Sequence, residues 1–381
     1  MPIAREHRQR TWARTAGWWC ASRVALVALV IGVSWAQGVD DGLRARDLSR
    51  WLTERVTWWD SWHFVRIAEV GYLPPGLPCC DQAFFPGYPL LMAALAPVLA
   101  GSVVLAGLVV SLVSGGVAAV LLQRIGDLRA PGSGTWAVVF LAVAPFGIFL
   151  SSVYTESLFL ALSLAAWLAA VRRHWWWAGA AAGAASLVRV NGLFLVAALA
   201  VTYLLQLRAD GRRWPRPDAA ALLLGPLAVL GYVGYLAART GHLDAWQQAQ
   251  DKGWVRGTAW PWQGLAAGWR AARTAPATDL VVSRWADLVV VVGGLLLLGV
   301  LLWLRRWAEA VLIGLNVSVL VCSTMLTSAA RYGLLWFPAY LLLAEVSQRE
   351  GWRWLRWAVP VVCVPALVAL SVAFSAHYWV A

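Results

Sequence analysis

Long apolar runs alternate with short basic interruptions through almost the whole chain. A hydrocarbon layer about 30 Å thick takes about 20 apolar residues per spanning helix, and such stretches follow one another from near residue 20 almost to the end. The pattern predicts about eleven hydrophobic helices: Ser22 to Trp35, Val103 to Leu122, Thr135 to Leu150, Leu158 to Val171, Trp175 to Val188, Leu193 to Leu207, Ala219 to Ala237, Ala286 to Leu304, Ala308 to Leu326, Leu334 to Ala344 and Trp357 to Phe374. A further run, Tyr88 to Leu99, fits a partial or interfacial helix, because the chain crosses once between the polar segment Asp40 to Pro86 and the basic stretch Arg124 to Arg129. Runs between 158 and 207, and the one near 334, are shorter than a full span. Such helices can be broken or tilted where they line a cavity. Gly179 and Gly183 form a small-xxx-small pair, which reads as helix packing. The expected fold class is an all-α polytopic membrane protein: one transmembrane domain over residues 1–381, with two long polar segments at 40–86 and 239–284.

Composition strengthens the case for a lipid solvent. The hydrophobic set makes up 61% of the chain and charged residues 13%, against about a quarter charged in soluble domains. The formal charge of +12 does not indicate nucleic acid, because the arginines punctuate apolar runs rather than gather on one face. Short basic loops mark the cytoplasmic side, so the tail Arg5, Arg8, Arg10 and Arg14 is expected inside. The run Ser22 to Trp35 reads as a retained first helix, since no small-residue cleavage site follows it. The same parity carries both long polar segments outside. The cysteines show no metal-ligand spacing; the adjacent pair Cys79 and Cys80 reads as free thiols, because vicinal pairs strain disulfide geometry. No Walker loop, dinucleotide fingerprint, H-E-x-x-H or D-x-D pair occurs, and nothing calls for a cofactor or metal.

Several polar residues exceed what a membrane anchor needs. Asp60 stands among Trp58, Trp59 and Trp62, with His63, Arg66, Glu69 and later Asp81 following. A carboxylate desolvated among indoles is a stronger base, although Asp60 also suits the N-cap of a helix through Ile67. His63 and Arg66, three and six positions on, share roughly one helical face with it. External turns carry Tyr154, Thr155 and Glu156, then Arg189 and Asn191, then Arg331 and Tyr332. Ionisable groups at such depth are functional candidates by default, with a structural pair such as Glu156 and Arg189 as the competing account. The second long segment mixes Lys252 and Arg256 with Trp254, Trp260 and Trp262. That composition suits a phosphate and a sugar ring, and equally an interfacial amphipathic helix.

These residues resemble a known family. Trp58-Trp59-Asp60-Ser61-Trp62-His63-Phe64, then Ile67-Ala68-Glu69-Val70-Gly71-Tyr72 and Ala83-Phe84-Phe85-Pro86-Gly87-Tyr88-Pro89, are similar to the first luminal loop of the PIG-V-like mannosyltransferases, which belong to the GT-C glycosyltransferases. The likeness continues through Tyr154-Thr155-Glu156-Ser157, Arg189-Val190-Asn191-Gly192, the Gln250 to Arg256 region with Trp260-Pro261-Trp262, and Arg331-Tyr332 with Phe337-Pro338. Two positions depart from the family pattern: Gly87 replaces a bulky residue, and Val255 stands where a glycine is usual.

The resemblance implies a GT-C-like bundle that transfers mannose from a polyprenyl-phosphate mannose donor with inversion. Asp60 would accept the proton of an acceptor hydroxyl. Arg189, Lys252, Arg256 and Arg331 are the cations available to the leaving phosphate, and Trp59, His63, Arg66, Glu69, Asp81, Tyr154, Glu156, Asn191, Trp254 and Tyr332 complete the expected substrate site. The acceptor is a glycolipid, a polysaccharide or a protein hydroxyl. A transporter or flippase for a polyprenyl-linked or glycolipid substrate would also place ionisable groups in a membrane cavity, but it usually shows internal repeats, and none is apparent. The Ala-, Arg- and Trp-rich composition points to a bacterium of high genomic GC content, with the site facing outward from the plasma membrane.

Overall fold

A computed structural model describes residues 2–73, 80–255 and 257–380, with side chains from residue 12 onward. Among these residues the fold is helical throughout, apart from an isolated bridge between Thr258 and Ser323. Six helices are long and apolar enough to cross a membrane: Trp12–Ala36, Val103–Arg129, Gly192–Ala209, Pro217–Thr240, Thr278–Trp303 and Glu350–Ser375. Shorter apolar helices lie at Gly87–Leu99, Ser133–Ala142, Glu156–Val171, Trp307–Val321 and Phe337–Val346. The protein is therefore a polytopic all-α membrane protein. The chain divides into two compact units, one of residues 1–62, 95–164 and 336–380, the other of residues 63–94 and 165–335.

In the first unit Pro2–Ala36 packs against Val103–Arg129, which also packs on Ser133–Ala142. Glycine sets that last approach, since a Cβ on Gly126 would lie 2.6 Å from the Gly134 Cα. The stretch Arg124 to Arg129, expected as a loop, is instead the end of the long helix. Gly126 is tolerated inside this helix, and the residue before Pro131 is the natural stopping point. The run Thr135 to Leu150 is likewise not continuous: the helix stops at Ala142, and a 3-10 turn follows at Gly147–Leu150. Pro145 has no N–H to return to Leu141, and its ring crowds that carbonyl. The carbonyls of Ala142 and Gly147 accept hydrogen bonds from Arg23, a buried cation in an apolar helix that is tolerable only with such acceptors around it.

In the second unit Trp175–Val188 packs on Pro217–Leu223 and Leu224–Thr240. A Cβ on Gly179 would collide with the Ala221 carbonyl, and one on Gly183 would lie 3.2 Å from the Leu224 carbonyl. The small-xxx-small pair is a packing seam, as its spacing predicts. Gly192–Ala209 packs on Trp307–Val321, where the Asn191 amide donates to the Asn316 side-chain carbonyl at 2.8 Å. An apolar cluster of Ile67, Tyr72, Phe85, Tyr232 and Leu236 fastens the loop helix Ser61–Val70 to Leu224–Thr240.

The run Ala308 to Leu326 is also shorter as a helix than its hydropathy implies. It ends at Val321, and residues 322–328 form an irregular turn before the short helix Ala329–Leu334. Ser323, Thr324, Thr327 and Ser328 offer hydroxyls that compete for backbone groups, and Ser328 takes a left-handed φ of 60°. The run Leu334 to Ala344 is accordingly split, with a second helix, Phe337–Val346, starting on Pro338 in its first turn. Cys80 is disulfide-bonded, which corrects the expectation of free thiols; Cys79 lies outside the described residues. Cys20, Cys322 and Cys363 are free.

Candidate functional site

In the first unit, the segment leading into Asp60 is pinned from several directions. The Tyr154 hydroxyl donates to the Trp58 carbonyl at 2.8 Å. The Trp58 ring lies 3.7 Å from the imidazole of His377, and Trp59 meets Trp379 edge-on at 4.7 Å. Upstream, the fully buried Arg55 donates to Asp40 at 2.7 Å, to the Ser375 carbonyl at 2.9 Å and to the Trp51 carbonyl at 3.2 Å. Trp59 itself has φ 58°, a left-handed conformation that is rare for a bulky residue and persists only where the surroundings over-determine it. Asp60 follows, half-buried, directly before the helix Ser61–Val70. Glu156 is fully buried in the first turn of Glu156–Val171, where the helix dipole favours a negative charge; Thr155 donates to it at 3.4 Å.

In the second unit, the helix that begins at Ser61 presents His63 and Arg66, one turn apart, to the buried carboxylate of Asp81. Arg66 binds both carboxylate oxygens, with Nε 2.7 Å from Oδ2, and His63 Nδ1 lies 2.7 Å from Oδ1. Desolvation pushes the Asp81 carboxyl upward, but the hydrogen bonds from His63 and Arg66 outweigh it and hold the group below its ordinary range. The same bond to Asp81 raises Arg66 against the opposing desolvation. His63 Nδ1 also lies 3.1 Å from Arg66 Nη2. Its ring stacks on Phe84 at 4.7 Å and lies 5.7 Å from Trp254. Glu69, on the same helix, is exposed.

The helix Ala245–Trp254 joins this cluster to a cavity of about 320 Å³. Its Trp254 faces His63, while Trp246 and Gln250 both donate to the Ala83 carbonyl and line the cavity. The opposite wall comes from Cys322, Ser323, Met325 and Thr327 of the irregular turn, with Tyr332 and Val190. Arg189 sits 5.4 Å from the centre of the Tyr332 ring, and Arg331 is 6% exposed on the short helix. Asn191 is buried and committed to Asn316. Lys252 is exposed, and Arg256 lies outside the described residues. The aromatic and amide groups of the cavity wall suit a neutral sugar, and the buried Arg331 on the adjoining helix suits an anionic group. Among the described residues no group of three His, Cys, Asp or Glu side chains is placed to hold a metal.

Residues 41–208 match the family described as mannosyltransferase (PIG-V). Over that stretch the chain is PIG-V-like. It is 33% identical over 150 residues to GPI alpha-1,6-mannosyltransferase 2 of Mus musculus, covering 35% of this chain and 29% of the relative. The human protein of the same name is 32% identical over 152 residues, covering 37% and 30%. The matched stretch thus spans about three-tenths of the length of these relatives.

Both positions expected to depart from the family pattern have a distinct local geometry, and Val255 lies beyond the matched stretch 41–208. A Cβ on Gly87 would lie 2.8 Å from the Leu187 carbonyl oxygen, so a bulky residue has no room beside the end of Trp175–Val188. Val255 occupies φ 51° just past the end of Ala245–Trp254, a left-handed position that glycine fills without strain. Sequence reasoning overlooked Arg55, His377 and Trp379, whose roles arise from contacts distant in the chain. It also overlooked Asp287, which had left a signal as the one carboxylate in the run Ala286 to Leu304.

Proposed function

We propose that this protein is an inverting mannosyltransferase with a GT-C-like bundle, moving mannose from polyprenyl-phosphate mannose to a hydroxyl of a glycolipid, polysaccharide or protein. The observation that carries the reading is Asp60 itself, a carboxylate inside the stretch that matches the family, following a strained Trp59 on a segment fixed by Tyr154, His377 and Trp379. Strain of this kind concentrates at functional sites, and preorganised geometry is what general-base catalysis requires.

In the reaction the acceptor oxygen attacks the anomeric carbon as the bond from that carbon to the phosphate oxygen breaks. The hydroxyl proton passes to Asp60, and the donor leaves as polyprenyl phosphate. A β-linked donor gives an α-linked product, in keeping with the linkage in the relatives' name. Arg331 and Arg256 are the foremost candidates to stabilise the departing phosphate, with Arg189 and Lys252 behind them. The cavity beside Tyr332, with Gln250 and Trp246 on its wall, is the proposed sugar site, and the Asp81 cluster holds His63 and Arg66 in position next to it. The short basic loops support an orientation with the N-terminus cytoplasmic and the site on the extracytoplasmic face of the plasma membrane.

The test is a membrane assay with labelled polyprenyl-phosphate mannose. Wild type is expected to transfer label, and Asp60→Asn to lose at least about 100-fold in rate with unaltered thermal stability. Equal transfer by both proteins would rule out Asp60 as the base.

A further inference from the structure

The helix Thr278–Trp303 is apolar enough to cross the membrane, yet it carries Arg284 and Asp287, one turn apart. Asp287 is 1% exposed. Burying an ionised carboxylate in an apolar setting is costly unless its oxygens find donors, and an ionisable group within an apolar helix is a functional candidate. What the two side chains hold is specific. Asp287 Oδ1 accepts the backbone N–H of Ala330 at 3.2 Å. Arg284 Nη1 donates to the Leu326 carbonyl at 2.6 Å and to the Thr327 hydroxyl at 3.2 Å. The two charged groups are themselves 4.0 Å apart.

Together they grip the turn 326–330 at both of its ends. That turn passes through Ser328 at φ 60°, a left-handed conformation unfavourable for a non-glycine residue, so it needs external support to persist. It supplies Thr327 to the cavity wall, follows Met325 on that wall, and leads directly into Arg331 and Tyr332. We propose that Arg284 and Asp287 form an intramembrane latch whose task is to position Arg331 and Tyr332 against the cavity. They are positioning residues, acting on the substrate through the turn they hold. The mechanistic consequence rests on the function proposed above; the latch as a structural device does not.

Cys322, a free thiol on the cavity wall four residues before the gripped turn, provides a reporter independent of transfer. The full-length protein in detergent is treated with a small maleimide, and labelling of Cys322 is read by peptide mass mapping, alongside kcat and KM for labelled polyprenyl-phosphate mannose and the unfolding temperature. Asp287→Leu and Arg284→Leu are expected to change the Cys322 labelling rate at least threefold and to lower kcat/KM at least tenfold. Asp287→Asn, which keeps an acceptor oxygen for Ala330, is expected to fall between wild type and Asp287→Leu in both readouts. Wild-type labelling and wild-type kinetics in Asp287→Leu would overturn the latch. So would a loss of transfer in that variant accompanied by a lower unfolding temperature and unchanged Cys322 labelling, the mark of a general folding role. Failure of the wild type to transfer mannose would overturn the proposed function instead, and the labelling arm would still decide the latch.

Discussion

Gly87 offers a sharp test of how the site is supported. An added Cβ would lie 2.8 Å from the Leu187 carbonyl oxygen, 2.9 Å from its carbon and 3.0 Å from Val188 Cγ2. The first two neighbours are backbone, so the clash cannot be relieved by rotating a side chain. The end of Trp175–Val188 must retreat by roughly half an ångström for alanine, at about 1–3 kcal/mol for overpacking, and much further for an aromatic residue. The displaced residues directly precede Arg189, which lies against Tyr332, so the perturbation reaches the proposed site. Gly87→Ala should lower the unfolding temperature by about 2–12 °C, taking about 2–4 °C per kcal/mol, and reduce mannose transfer severalfold; Gly87→Phe should be worse on both counts. Gly231→Ala is the control, because a Cβ there meets nothing within 4 Å and alanine favours a helix interior over glycine by about 0.5–1 kcal/mol. Since solubilised membrane proteins often unfold irreversibly, half-lives at one fixed temperature should accompany the melting curves. Wild-type stability and transfer in Gly87→Phe would refute the reasoning.

The Asp81 cluster makes a pH prediction. The Asp81 carboxyl is held below its ordinary value of 3.8, so its contribution is complete above that value and is lost as pH falls through the folded one. The difference in unfolding temperature between wild type and Asp81→Asn should be constant from pH 7 to about 5 and shrink toward zero below about 4; a difference that grows with acid would contradict the ion cluster. Arg55 has three hydrogen-bond partners and no exposure, so Arg55→Met, which leaves the Ser375 and Trp51 carbonyls without this donor, should cost about 1–3 kcal/mol in thermal unfolding. It should also lower transfer by loosening the segment before Asp60, and retention of both would deny the clamp. Val255→Gly should relieve about 1–2 kcal/mol of left-handed strain, offset by up to about 1 kcal/mol of unfolded-chain entropy. It should therefore melt at or above the wild-type temperature, and a clear drop would mean the φ is not strained.

Hydrophobic period and charge determined the solvent and the all-α class, the spacing of Gly179 and Gly183 their packing role, and the motifs of the first loop the family it resembles. These are local properties: how many apolar residues lie between polar ones, and which side chains stand next to each other in a motif. Tertiary structure decided how the broken runs are held, because the Ala142 and Gly147 carbonyls beside Pro145 find a donor in Arg23, and Leu326 and Ala330 find Arg284 and Asp287, which lie elsewhere in the chain. It also sorted the polar candidates. His63, Arg66 and Asp81 converge, Arg189 finds Tyr332, and Asn191 is taken up by Asn316, whereas Glu69 and Lys252 remain exposed. A sequence records that a charge sits near a membrane; its chemistry depends on which donors and acceptors the packed helices bring within about 3 Å of it, and that distance exists only once the chain has folded.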